Sequence, residues 1–384
     1  MRLLGVPSLR WLPVGLALLL AVEERLTGAA YTGDHNAVAL AAAAGSLFLT
    51  LVALSRWLTV SKRAAAVGLV ALTVTAPGLL SGDLKEAARF ALTALLLVSA
   101  HALVASSAAE RARPLVAWLA RVLVVVGFAF SVPALLSASR RASGFLVSSP
   151  TLFSYAMLLC VAVLLWWGAK PDLALVFAAL LLVLDSGTRT NMAVAGLMLL
   201  YRFTLGDRGG VTSLDKALRV SAVLAAMALG GLALLSRGVD VVQVTTDAAS
   251  RLTQRTNFAA STSTRLAFYT QLLQSLDARG LVVGAGAGAS FDTITETVGR
   301  RVPAHLDLLT VLVDFGVPGL LLVLALVLGV VLRRGLNGPA GWAALTFLLS
   351  GQFHNVVYHP LAVLLSAVIV GAADARPRRG GGAG

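Results

Sequence analysis

Apolar runs long enough to cross a hydrocarbon core of about 30 Å, each separated from the next by charge or turn residues, recur along almost the whole chain. They fall near 11–30, 36–55, 64–81, 90–107, 114–137, 150–168, 172–187, 189–204, 218–235, 306–332, 339–353 and 360–373. About twelve such runs predict an all-α, polytopic membrane protein, because in lipid each spanning segment must satisfy its own backbone amides and carbonyls. Composition agrees: of 384 residues, 58% are hydrophobic and 13% charged, with a mean hydropathy of +0.86. Soluble domains lie near about 45–50% apolar and 25% charged. Glu23, Glu24 and Arg25 interrupt the first run. It is read as a span. A cleaved signal peptide is the alternative, since Arg2 and Arg10 precede a short apolar core and "TGAAYTG" offers small residues.

A net charge of +13 would point to nucleic acid in a soluble chain. Here the basic residues sit mostly in short connections between apolar runs, where they set orientation, so no nucleic-acid partner is expected. Lys and Arg concentrate in 56–63, 110–114, 168–172, 202–219, 333–338 and 376–379; the opposite short loops hold fewer, such as Lys85, Arg89, Arg140 and Arg141. The positive-inside rule places both termini in the cytoplasm, and parity then puts the long segment 236–305 outside. The lone cysteine, Cys160, lies in "YAMLLCVAVLLWW". It excludes an intrachain disulfide and is expected to be inert packing.

The external segment contains "STSTRLAFYTQLLQSLDARG", where Leu266, Tyr269, Leu273 and Leu276 recur at helical spacing and Gly280 reads as the stop. This predicts an amphipathic helix near the membrane surface. A Gly-rich turn follows in "GLVVGAGAGASF", and Pro303 leads into the run at 306–332. The chain divides into N-terminal helices (1–137), a second membrane region holding the external segment (138–373) and a flexible tail (374–384).

Ionisable groups at membrane depth are costly and mark candidate functional sites. Arg189 stands in a short break between two runs, with Gly187 for the turn and Thr190 or Asn191 as a cap for the next helix. It reads as an anion-binding guanidinium, or as an arginine snorkelling to headgroups or paired with Asp185. Arg265 opens the external helix, where the helix dipole disfavours a cation; an anionic ligand, or simple solvation near Asp247, would account for it. His305 precedes Asp307 by two residues, and Asp314 lies about two turns further on. A histidine there can exchange a proton near neutral pH, with the acids orienting it, or it is an interfacial residue with no task. Asp314 sits roughly 12 Å along the helix at 1.5 Å per residue, so it must find a partner or stay protonated.

Other motifs are weaker. His354 and His359 lack an acid or cysteine to complete a metal set. "GAGAGAS" at 284–290 fits a dinucleotide glycine pattern only loosely, without a strand before it. The sequence carries no Walker loop, HExxH or Asp-x-Asp cluster, so the energy for any chemistry must come with the substrate.

The ordered set of these features resembles the O-antigen ligase and Wzy-type polymerase family of bacterial membrane glycosyltransferases. "SGFLVSSPTLFSYAMLL" (143–159) resembles its Gly…Asn-Pro stretch, and "LDSGTRTNMAVAGLMLL" (184–200) its Ser-Arg motif. "STSTRLAFYTQLLQSLDARGLVVGAGAGASF" (261–291) is similar to its Ser-x-x-x-Arg helix and Gly-x-Gly-x-Gly turn. "AHLDLLTVLVDFGVPGLLL" (304–322) is similar to its His-Asn-x-x-Leu…Glu-x-Gly-x-x-Gly motif. The resemblance spans about 140 to 373. Leu306 follows His305 where the family has Asn, Asp314 stands where Glu is usual, and Thr188 precedes Arg189 where Ser is common.

The resemblance implies a GT-C-like helical fold in a bacterial plasma membrane. It implies transfer of a glycan from an undecaprenyl-pyrophosphate carrier to a hydroxyl of a glycan, lipid or protein acceptor on the outer face, without metal or cofactor. Arg189 and Arg265 would bind the pyrophosphate, His305 would take the acceptor's proton, and Asp307 or Asp314 would steady the imidazole and help hold substrate. A polysaccharide polymerase differs from a ligase only in the acceptor. A secondary transporter with a proton relay through His305 and Asp314, or a non-catalytic membrane scaffold, are the readings of another class.

Overall fold

The computed structural model describes residues 11–27, 76–78, 80–135, 142–146, 149–204, 268–298, 307–351, 356–357 and 359–375. Among them every regular element is helical: α1 (Leu12–Thr27), α2 (Leu84–Ala105), α3 (Ala109–Leu135), α4 (Pro150–Trp167), α5 (Leu173–Asp185), α6 (Arg189–Thr204), α7 (Ala278–Val283), α8 (Ala289–Val298), α9 (Asp307–Arg334), α10 (Pro339–Gly351) and α11 (Pro360–Asp374). Residues 76–78, 80–81 and 268–274 are helical as well. Helices α1–α6 and α9–α11 coincide with nine of the expected apolar runs. The runs at 36–55 and 218–235, most of 64–81, residues 236–267 and 299–305 of the external segment, and nearly all of the tail lie outside the described residues. By length and composition helices α2, α3, α4 and α9 are long and apolar enough to cross a membrane, consistent with an all-α membrane protein.

Two helices begin earlier than hydropathy predicts. α2 starts at Leu84 rather than 90, and α3 at Ala109 rather than 114. Their first turns carry Glu86 and Glu110, acids that suit a helix N-terminus although they end an apolar run. α4 starts where local chemistry says it should: the Ser149 side chain accepts the Leu152 amide and Pro150 occupies the first turn, where its missing N–H is not needed.

α4 forms the centre of the bundle, packed against α3, α5, α6, α10 and α11. α11 lies along α2, where Gly371 lets the backbones approach closely: a Cβ there would stand 2.8 Å from the His101 carbonyl oxygen and 3.1 Å from Val104 Cβ. Cys160 is buried in α4, in the apolar packing expected of it. At one end Arg333 and Arg334 meet Asp374, which His101 also reaches at 2.9 Å, while the Arg202 and Arg113 guanidinium carbons stand 5.5 and 6.0 Å from the Trp166 and Trp167 ring centres. The starts of α4, α6, α9 and α11 gather at the other end.

The run at 306–332 is not one continuous span. Gly316 breaks α9 with φ 68° and ψ −173°, two residues before Pro318. Ahead of the break, Asp307, Thr310, Val311, Val313, Asp314 and Phe315 are all buried in protein. Beyond it, Val317, Leu321, Leu326, Leu328 and Leu332 are exposed, as a lipid-facing helix requires. Both acids therefore sit in a stretch surrounded by protein, not lipid.

Candidate functional site

The Gly-rich turn at 284–288 forms as expected and is seated on the break in α9. Gly284 (φ 82°), Gly286 and Gly288 adopt positive φ. A Cβ on Gly284 would run into the Asp314 carbonyl, so the two backbones meet in a way only glycine allows. Every amide of the turn has a partner. Gly284 N–H donates to Gly280 O, Ala285 N–H to Val313 O at 2.8 Å, Gly286 N–H to Asp314 O at 3.2 Å and Ala287 N–H to Gly78 O at 2.8 Å. Gly288 N–H donates to Asp314 Oδ2 at 3.3 Å, Ala289 N–H to Gly286 O, Ser290 N–H to Asp314 Oδ1 at 2.9 Å and Phe291 N–H to Gly288 O. With its amides committed in this way, the turn has no free cradle for a dinucleotide phosphate.

Asp314 thus finds the partner that its depth demands: its carboxylate caps the N-terminus of α8 from a neighbouring helix. It is fully buried, and the positive end of the α8 dipole compensates for the water it has lost. The turn is held from a third side by the segment before α2. Asp83 N–H donates to Ala287 O at 2.9 Å, Gly82 passes so close that a Cβ there would overlap Ala287, and the Phe90 ring stacks at 4.3 Å on Phe315. Nothing in the sequence near 78–83 flagged this strut beyond its two glycines.

The amphipathic helix predicted from the 261–280 stretch is partly as expected. Residues 268–274 are helical, with Phe268 and Leu272 buried and Tyr269 and Leu276 packed beside them; Leu273 is 54% exposed, so the buried stripe runs through Leu272 instead. Gly280 is not the stop. Asp277 caps a second helix, α7, by accepting the Gly280 amide at 2.6 Å, and Gly284 ends that helix. The capping aspartate outweighs the propensity of a single glycine.

Arg189 is the first residue of α6, and Gly187 (φ 68°) makes the turn before it, as expected. Its side chain, and Arg265 and His305 altogether, lie outside the described residues. Asn191 does not cap α6. It is fully buried in the first turn, its Nδ2 donating to Thr151 O at 3.1 Å and to Ser154 Oγ, its Oδ1 accepting from Ser350 Oγ at 2.7 Å. Ser186 Oγ, bonded to Val183 O at 2.6 Å and accepting the Thr188 amide, shapes the turn instead. An asparagine inside an apolar run was the available signal for such a cross-helix role. Asp307, 1% exposed, accepts the Val357 amide on Oδ2 at 2.8 Å and lies against Gly351. Among the described residues no group of three or more His, Cys, Asp or Glu could hold a metal.

The structure therefore brings the starts of α6 and α9 to one end of the bundle and docks the Gly-rich turn on the break in α9. No protein-family model and no curated protein matches the chain.

Proposed function

We propose that the chain transfers a glycan from an undecaprenyl-pyrophosphate carrier to an acceptor hydroxyl at the outer face of a bacterial plasma membrane, in the manner of the O-antigen ligase-like glycosyltransferases it resembles. The observation that carries this reading is the docking of the 284–288 turn on Asp314 and Gly316. Two motifs of the resemblance, joined between Gly288 and Asp314, form one unit. Because the turn's own amides are occupied, negative charge on a pyrophosphate falls to side chains, and Arg189 and Arg265 are the guanidiniums suited to it.

In this mechanism the acceptor oxygen attacks the anomeric carbon of the carrier-linked sugar. The new glycosidic C–O bond forms as the bond to the pyrophosphate oxygen breaks, and undecaprenyl pyrophosphate leaves with the electron pair. The acceptor's proton passes to His305. Arg189 and Arg265 neutralise the charge that grows on the leaving group, Asp307 holds the start of α9 beside His305, and Asp314 keeps the turn in place. The basic end of the bundle faces the cytoplasm and the end with the starts of α6 and α9 faces outside.

The test is complementation of the native host's deletion strain by wild type and by Arg189→Ala, Arg265→Ala and His305→Ala at equal membrane levels, with surface and lipid-linked glycans resolved on gels. Each variant is expected to accumulate lipid-linked glycan and lose the transferred product, and the product's length distribution separates ligase from polymerase. Wild-type behaviour of all three variants would overturn the reading.

A further inference from the structure

The buried amide of Asn191 begins a chain of contacts that runs from one half of the candidate site to the other. Its nitrogen is anchored to α4 at Thr151 and Ser154, and its oxygen holds Ser350 in the last turn of α10. The next residue, Gly351, leaves room for Asp307: a Cβ there would stand 3.1 Å from Asp307 Oδ2. Asp307 opens α9 and is itself held by the Val357 amide at 2.8 Å. The last turn of α10 thus brackets the first turn of α6, which Arg189 begins, and the first turn of α9.

We infer that Asn191 is a positioning residue for glycan transfer: through Ser350 and Gly351 it fixes the start of α6, and with it Arg189, against the start of α9. This rests on the glycosyltransferase reading. Asn191 is well suited to the task. Its carboxamide offers two donors and an acceptor in one plane, all three are used, and it is completely buried, so the bracket has a single geometry. It sits two residues from Arg189, in the turn of a helix that is otherwise most prone to fray. Buried amides commonly serve only as glue between membrane helices. A positioning role differs in what it does to the rate, because a displacement of about 1 Å at a reacting centre costs on the order of 100-fold.

The experiment uses the full chain in lipid nanodiscs, with the lipid-linked glycan extracted from the deletion strain as donor and the host's own acceptor. Transfer kinetics and thermal midpoints are measured for wild type, Asn191→Ala, Ser350→Ala, Arg189→Lys and the double variant Asn191→Ala with Arg189→Lys. Ser350→Ala removes only one bond of the bracket and keeps the test open should Asn191→Ala fail to fold. The expected result is a fall in kcat of about tenfold or more for Asn191→Ala or Ser350→Ala, with acceptor KM unchanged and the midpoint of Ser350→Ala within a few degrees of wild type. On the Arg189→Lys background, removing Asn191 should add little, since both act through the same guanidinium. Full additivity of the two losses overturns the inference, as does wild-type kcat in both bracket variants while Arg189→Lys is impaired. Unimpaired transfer by Arg189→Lys, together with wild-type complementation by Arg189→Ala, removes the glycosyltransferase role of Arg189, and the bracket's role with it.

Discussion

Asp314 Oδ1 accepts the Ser290 amide at 2.9 Å, so a carboxylate on one helix closes the N-terminus of another, 24 residues earlier in the chain. The Gly288 amide donates to the other oxygen, Oδ2, at 3.3 Å, and the two bonds tie the 284–298 segment to α9. Asp314→Ala leaves two amides at the start of α8 without their acceptor and is expected to destabilise the 284–298 segment by about 1–3 kcal/mol. Hydrogen exchange should show faster amides across 284–298, with α3 and α4 unchanged. Asp314→Asn, which retains one acceptor oxygen, should lose less.

Gly316→Ala is expected to lower the thermal midpoint sharply. Its φ of 68° with ψ of −173° lies in a region essentially only glycine enters, at about 1–3 kcal/mol for a residue with a Cβ, and the Cβ would stand 2.8 Å from Gly284 N and 2.9 Å from Leu281 O. Gly329, further along the same helix, has nothing within 4 Å of a built Cβ, so Gly329→Ala should be neutral or gain about 0.5–1 kcal/mol. A pair of melting curves in detergent decides the matter.

Arg121 donates to Asp172 through Nε and Nη2, each at 2.8 Å, and this pairing holds the Asp172 carboxyl below its usual value against the opposing effect of burial. A carboxyl lowered in the folded state contributes stability that is complete above its unfolded value, about 3.9, and is lost as pH falls through the lowered folded value. Melting between pH 7 and pH 3 should therefore show a loss in wild type that Arg121→Met lacks. At neutral pH Arg121→Met should be less stable by about 1–2 kcal/mol, the range for a charge-assisted hydrogen bond reduced by solvent screening.

Cys160 is the chain's single cysteine and is 3% exposed in α4. Membrane-permeant maleimide should leave the folded protein unlabelled and modify one site after denaturation. Labelling of the native protein at a rate near that of free cysteine would contradict the central position of α4.

Much of the architecture was legible because lipid leaves a chain few options: hydropathy located α4, α5, α6, α10 and α11 to within a few residues. The starts of α2 and α3 were missed because Glu86 and Glu110 favour the helix N-terminus electrostatically while lowering the hydropathy average. The break at Gly316 was hidden for the opposite reason: the apolar run continues through it, and hydropathy contains no term for φ. Asp314 was rightly singled out as needing a partner, yet the partner is a pair of backbone amides, which no sequence spells out. The turn at Gly187 offers Thr190 or Asn191 as a cap; the bonds of Asn191 instead reach Ser154 and Ser350, which lie 37 and 159 residues away in the chain.

Every residue of α11 from Pro360 through Ala372 is buried, wrapped by α1, α2, α3, α4 and α10. All five of those partners leave the ribosome before it does. During biogenesis the groove that α11 fills must therefore be occupied by lipid or by the insertion machinery, and the bundle can close only when this short apolar helix displaces them. Until α11 docks, the Tyr155 hydroxyl lacks the Ser366 hydroxyl that it meets at 2.7 Å in the finished bundle.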